Sequence, residues 1–338
     1  VPEHESKPGI LECSDIGRER FHEEIVKASR PAVFRGLVAD WPVVRAGGSQ
    51  QALSAYLRRF ERGQSIGAMF GSPKIKGRFF YNEDLTGFNF KRESVKISGA
   101  LDFLLAAAEE ERPPSLAIQS VQVRQNLPGF EAENVLPLLD NVEPRVWIGN
   151  AVTVAAHQDT SENIACCVAG RRRFTLFPPD QDANLYLGPF ELTPAGTRIS
   201  LVDFDAPDLA RFPRFPEALA AAITVDLEPG DALYIPYMWW HHVRSIERVN
   251  MLVNYWWTPP MQEATRPSEA FLHAMLSIHS LPKAHRDAWR ILFDRYVFEA
   301  DEPSATHIPA ERRGMMGTLD DKAAAELRAT LARALSRS

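Results

Sequence analysis

The segment AAHQDTSENIACCVAGRRRFTLFPP, residues 155–179, sets an imidazole and a carboxylate two positions apart, His157 and Asp159, just ahead of a short apolar run. In an extended chain, residues two apart project from one face. His157 and Asp159 would therefore aim together, with Gln158 turned away. An imidazole nitrogen beside a carboxylate oxygen suits Fe(II), Mn(II) or Zn(II). Two ligands do not make a site, so a third is needed. Of nine histidines, His4 and His22 fall in the N-terminal part and His273, His279, His285 and His307 in the C-terminal part. That leaves His241 and His242, in YIPYMWWHHVRSIE, as partners within the same stretch of chain. Two histidines and one carboxylate grip one face of a metal and leave the other open to a bidentate acid and dioxygen. Adjacent histidines on one strand face opposite ways, so only one of the two can be a ligand.

The elements around these residues are short. From about Ser115 to Trp257 the apolar runs LAIQSVQV, RVWIGNAVTV, NIACCV, RRFTLF, AITVDL, ALYIP and NMLVNYWW are rich in β-branched and aromatic residues and separated by Gly, Pro and Asp. That pattern predicts a compact β-sandwich or barrel. In LEPGDALYIP, Pro229-Gly230-Asp231 is a turn feeding a buried strand. Before this region the spacing predicts a short helix in FHEEIVKASR, a strand from Ala32 to Gly36, a turn at Trp41-Pro42, a helix in QQALSAYLRRFERG closed by Gly63, and a helix in SGALDFLLAAAEEER with Ser98 as N-cap. After Pro260, SEAFLHAMLSIHSL, KAHRDAWRILFDRYVF and DDKAAAELRATLARALSR carry apolar residues at helical spacing. We therefore divide the chain into a supporting region, 1–114, a β core, 115–259, and a helical region, 260–338, whose amphipathic faces suit a homodimer contact.

Composition narrows the classes of function. Hydrophobic residues make up 45% and charged residues 24% of 338, an ordinary globular balance. A formal net charge of −6 argues against nucleic acid as a partner, and Arg171, Arg172 and Arg173 are too few to line a groove. The three cysteines, two of them adjacent in an apolar run, fit a reducing compartment rather than a disulfide framework. No stretch has the length of a membrane span, and VPEHESKPGI lacks the pattern of a signal peptide, so the expectation is a cytoplasmic protein with no membrane partner.

Taken in order, RPAVFRGLVADWP, HQDTSENIACCVAGRRRFTLFPPDQ, VDFDAPDLARFPRFPEA, LEPGDALYIPYMWWHHV and VNYWW resemble the JmjC/cupin-like 2-oxoglutarate oxygenases, and among them the asparaginyl hydroxylases, from roughly Pro31 to Trp257. The resemblance implies a mainly β fold with flanking helices: a double-stranded β-helix of jelly-roll or cupin type followed by C-terminal helices. It implies Fe(II) held by His157, Asp159 and, as the first histidine after the Trp pair, His241. It also implies 2-oxoglutarate as cosubstrate, with its far carboxylate on Arg172, where the asparaginyl hydroxylases carry a lysine. A guanidinium can serve that role bidentately. Arg171 and Arg173 would then lie on a solvated face. Asn163 and Asn254 match positions beside the cosubstrate, and Cys166 and Cys167 read as strand packing.

Other positions depart from the family pattern. The family's threonine position is Val154 here, with Thr153 beside it, and no tyrosine stands near Ala117. On the substrate side the resemblance points to Trp256, Gln119 and Arg198. Ile199 stands where an asparagine-gripping glutamine would be, so asparagine hydroxylation is not carried over. The implied reaction is hydroxylation of a C–H bond in a protein side chain or small molecule, with O₂ consumed and succinate and CO₂ released. A cupin-like metal-binding module without oxygenase activity, or a metal-dependent isomerase or hydrolase on the same fold, uses many of the same residues.

Overall fold

A computed structural model describes residues 9–258, 267–299, 305–317 and 320–336. The chain divides into two compact units, Val1–Thr258 and Pro259–Ser338. The first unit carries strands β1 (Leu11–Cys13), β2 (Ala32–Phe34), β3 (Ser65–Gly71), β4 (Arg78–Phe79), β5 (Lys91–Lys96), β6 (Ser115–Gln122), β7 (Pro144–Gly149), β8 (Thr153–Gln158), β9 (Glu162–Ala169), β10 (Arg172–Phe177), β11 (Ile223–Leu227), β12 (Ala232–Ile235), β13 (Trp240–Ser245) and β14 (Asn250–Trp257). They form a nine-stranded sheet in the order β1-β2-β12-β9-β14-β7-β6-β3-β5 and a five-stranded sheet in the order β11-β10-β13-β8-β4. From β7 to β14 the chain alternates between the two sheets except at β10–β11, which pair with each other, and this is the jelly-roll, double-stranded β-helix arrangement.

The interior explains the short apolar runs. Every residue of β9 after Glu162 is buried, as is every residue of β12. A strand covered on both faces cannot show hydrophobic-polar alternation and reads as a continuous run. Ala165, Cys167, Phe174, Leu176, Leu233 and Leu252 pack together between the sheets. Cys166 and Cys167 are free and buried, and burial holds the Cys167 thiol up at about 12. The turn before β12 is fixed by Gly230, at φ +103, and by Asp231, whose carboxylate accepts from the Gly36 and Glu228 amides and pairs with Arg35.

Several local expectations shift. Strands β3 and β5 escape the sequence reading. β5, KRESVK, is an exposed edge strand with too little apolar content to signal itself, and its charges guard the sheet margin. Ser98 does not cap its helix. α1 (Gln50–Arg58) is capped by Ser49, whereas α2 (Ile97–Ala107) starts after Lys96. Glu61 serves that end of α2, accepting from both the Ser98 amide and hydroxyl. Trp41-Pro42 opens a short helix, Pro42–Ala46, with proline in its first turn. The strand from Ala32 ends at Phe34.

β4 is tied to β8 through Gly77, whose carbonyl accepts from the Thr153 amide at 2.9 Å. Gly77 sits at φ +82, and a Cβ there would lie 2.2 Å from the Ala151 carbonyl oxygen. Both the backbone conformation and the space exclude a side chain. Gly77→Ala is expected to cost about 2 kcal/mol or more of stability, read as a lower denaturant midpoint at unchanged slope.

The second unit holds α3 (Pro267–Ile278), α4 (Lys283–Phe293) and α5 (Asp321–Leu335), the last capped by the Asp320 carboxylate on the Ala323 amide. No helix among the described residues is long and apolar enough to cross a membrane.

Candidate metal and cosubstrate site

β8 and β13 are antiparallel neighbours in register, and His157 lies directly opposite His241. The two imidazole rings stand 4.1 Å apart between centroids. Asp159 follows the end of β8 by one residue, its carbonyl accepting from the Met238 amide in the turn before β13. One ligand atom from each of His157, Asp159 and His241 lies within 4.8 Å of the others, the one such group of three among the described residues.

The protonation pattern suits coordination. The Nδ1 of His157 meets the Ala155 carbonyl at 2.9 Å, and that of His241 meets the Trp239 carbonyl at 3.1 Å. A carbonyl only accepts, so each Nδ1 carries the proton and each Nε2 presents its lone pair. Burial pushes the His241 imidazole down to about 4, so it is neutral at pH 7. Asp159 Oδ2, 3.6 Å from His241 Nε2, is buried without a hydrogen-bond partner. A neutral imidazole facing an unpartnered carboxylate oxygen calls for a cation or a water between them, and a cation suits both groups. His242 takes the other side of β13. It stacks on Phe204, 4.4 Å between centroids, and is not part of the cavity wall.

The group lines a cavity of about 360 Å³ between the two sheets. Arg172, Asn163, Asn254, Thr153, Trp256 and Gln119 also line it; Arg198 does not, its guanidinium lying 4.4 Å from the Phe190 ring centroid instead. Arg172 enters from β10. Leu176 on that strand pairs with His241, so Arg172 sits four residues along the same face, about 13 Å of strand. It is buried, its Nε has no partner, and no carboxylate pairs with it among the described residues. Burial lowers its pKa to about 10, which leaves it charged at neutral pH. Strand alternation sends its neighbours outward, Arg171 onto Glu247 and Arg173 onto Asp226, each at 2.7 Å.

Asn254 donates to Asn163 Oδ1 at 2.8 Å across β14 and β9, while its own Oδ1 is left unpartnered. Of the six buried side-chain polar atoms without partners among the described residues, four belong to this cavity's wall: Asp159 Oδ2, Arg172 Nε, Asn254 Oδ1 and Trp256 Nε1. Native interiors leave few such atoms, and their gathering in one cavity marks a place for a polar, charged ligand. An acceptor beside two free imidazole nitrogens fits a divalent cation, and an unpaired guanidinium fits the far end of an organic acid.

Sequence reasoning missed three walls of the cavity. Arg92 and Met69 come from the overlooked strands β5 and β3, and Pro194, Ala195 and Thr197 come from an irregular loop. None of these carries a periodic signal.

A family model for a cupin-like domain matches residues 18–263. HSPB1-associated protein 1 of Bos taurus is 30% identical over 275 residues, covering 76% of this chain and 54% of its own. Lysine-specific demethylase 8 of Danio rerio is 26% identical over 258 residues, covering 73% of this chain and 57% of its own. The bifunctional peptidase and (3S)-lysyl hydroxylase JMJD7 of Homo sapiens is 27% identical over 274 residues, covering 70% of this chain and 80% of its own. The chain thus spans about half the length of the HSPB1-associated protein it matches. None of these three is named as an asparaginyl hydroxylase, and that narrower likeness is not carried further.

Proposed function

The chain belongs to the cupin-like family, and from that premise we propose that it is an Fe(II)- and 2-oxoglutarate-dependent dioxygenase that hydroxylates a C–H bond of a protein side chain or small molecule. The observation that carries this reading is Arg172: a buried, charged guanidinium without a counter-ion among the described residues, on the same sheet face as His157 and His241. His157, Asp159 and His241 would hold the metal, and Arg172 the distal carboxylate of the cosubstrate, with Asn163, Asn254 and Thr153 beside it. When bound, the metal and 2-oxoglutarate supply the oxidising chemistry, with succinate and CO₂ as co-products.

The chain's own contribution is positioning. The Ala155 and Trp239 carbonyls fix the two ring tautomers. The Asn254–Asn163 pair sets two amides in the cavity wall, and Phe174, Val243 and Leu252 add apolar surface to it. With the three ligands committed, the described wall holds no further Asp, Glu, His, Lys, Cys or Tyr that could act as a general acid or base. An isomerase or hydrolase on this scaffold would have to draw its acid–base chemistry from a metal-bound water. For the C-terminal unit we keep the homodimer contact as our reading of its exposed Phe271, Leu276, Ile291 and Phe298.

Aerobic incubation with Fe(II), ascorbate and 2-oxoglutarate is expected to release succinate and CO₂ in equal amounts, slowly, before any prime substrate is supplied. Protein that retains Fe(II) but consumes no 2-oxoglutarate is instead the metal-binding module.

A further inference from the structure

We infer that the substrate presents a carboxylate to this site, with Arg92 at its rim as counter-ion, and that lysine and arginine side chains are disfavoured; the inference rests on the dioxygenase reading above. The charged residues in the cavity wall are Arg92, Arg172 and Asp159, with no glutamate and no lysine among them. Once the dication and the dianionic cosubstrate offset one another, and Asp159 offsets Arg172, Arg92 is left over. A cationic side chain entering this cavity meets no opposing charge; Arg92 is itself exposed on the edge strand β5, so solvent screens its repulsion and the charge sets a modest preference. Two relatives are named for reactions on lysine, so this separates the chain from them.

Arg92 is held in place rather than left to swing. Its guanidinium donates to the Pro194 carbonyl and lies 5.5 and 5.9 Å from the Phe88 and Phe90 ring centroids, while no carboxylate pairs with it among the described residues. The rest of the wall is shaped to receive a planar polar group. β6 carries one extra residue between Ile118 and Val121, so that Gln119 and Ser120 together oppose Trp147 of β7. Ser120 takes φ +57 at this bulge, a left-handed conformation uncommon for a residue with a side chain. The bulge brings both consecutive side chains to the cavity, where regular alternation would turn one away. Arg145 braces it, donating to the Ser120 carbonyl at 3.2 Å and hydroxyl at 3.1 Å while lying 5.8 Å from the Trp256 ring. The Gln119 amide makes no hydrogen bond among the described residues and is free to donate to a carboxylate beside Arg92.

The carboxylate could belong to a peptide or to a small acid, and two arms distinguish these. Protein loaded with Mn(II) and 2-oxoglutarate under nitrogen is used to enrich binders from a randomised 12-residue peptide pool. In parallel, N-acetylaspartate amide and N-acetyllysine amide are titrated by calorimetry. Asp and Glu are expected to be enriched about fivefold over Lys and Arg, with the order reversed by Arg92→Glu and flattened by Arg92→Gln. The chain's net charge of −6 favours basic peptides non-specifically, so acidic enrichment reports the site. Preference for the aspartate amide with no peptide recovered assigns a small acid. Enrichment of Lys or Arg, no charge preference, or no binding in either arm overturns the inference. Failure of 2-oxoglutarate itself to bind in the same calorimeter counts against the dioxygenase reading instead.

Discussion

Asp159→Ala is expected to abolish metal-dependent succinate formation while leaving the metal-free protein at least as stable as the parent. The first half follows from the geometry: without this carboxylate the metal face keeps only His157 and His241. The loss in metal affinity should exceed the roughly 10–100-fold that outer-sphere partners alone command. The second half follows from burial. Asp159 Oδ2 has no hydrogen-bond donor, and its side chain is only 11% exposed beside a neutral His241. Removing a carboxylate whose buried Oδ2 has no partner breaks no hydrogen bond. Thermal melts with and without Mn(II) separate these effects. The parent should gain stability with metal, as linkage requires. The variant should show no metal-dependent gain and an unchanged or raised melting temperature without metal. A fully active Asp159→Ala protein rejects the ligand assignment.

Arg172→Met is expected to weaken 2-oxoglutarate binding by about 100-fold or more, since a bidentate charge-assisted pair contributes roughly 1.5–3 kcal/mol per hydrogen bond in a dry site. Metal binding should persist, because Arg172 lies about 13 Å of strand from the ligand face. Methionine keeps much of the volume and removes a buried charge without a counter-ion, so the unliganded variant should be no less stable. Arg173→Met, one residue on, is the control: that side chain pairs with Asp226 at the surface, and its loss should leave cosubstrate affinity within a factor of about 2. Calorimetry on Mn(II)-loaded protein checks all three statements. Equal effects of the two substitutions would mean that the anchor lies elsewhere.

What could be read in the chain divides along physical lines. The H-x-D pair and the β-rich centre are legible because strand periodicity is two and turn residues are local. So is the different fate of Arg172 and its neighbours, which alternation alone sends to opposite faces. The choice of His241 over His242 needs register. His241 faces His157 only because β13 pairs with β8 as it does, and the irregularity just after it re-sets the strand. Arg92, Met69 and the 194–197 loop were illegible: an edge strand of charged residues and a loop without period carry no hydrophobic pattern, and only the three-dimensional path brings them to the cavity. The bulge at Ser120 is likewise a property of pairing rather than of composition. Arg198 was placed at the substrate from its neighbourhood in sequence, but Thr197 and Ile199 on either side of it reach the wall instead.

The central claim is that His157, Asp159 and His241 would hold Fe(II), that 2-oxoglutarate would bind beside it, and that Arg172 would receive its far end. Anaerobic addition of 2-oxoglutarate to Fe(II)-loaded protein tests this most directly, because the bidentate chelate has a weak visible charge-transfer band that neither component has alone. The account predicts that the band appears with the wild-type chain, requires far more 2-oxoglutarate in Arg172→Met, and is absent in Asp159→Ala. Fe(II) bound in stoichiometric amount with no band at saturating 2-oxoglutarate would contradict it.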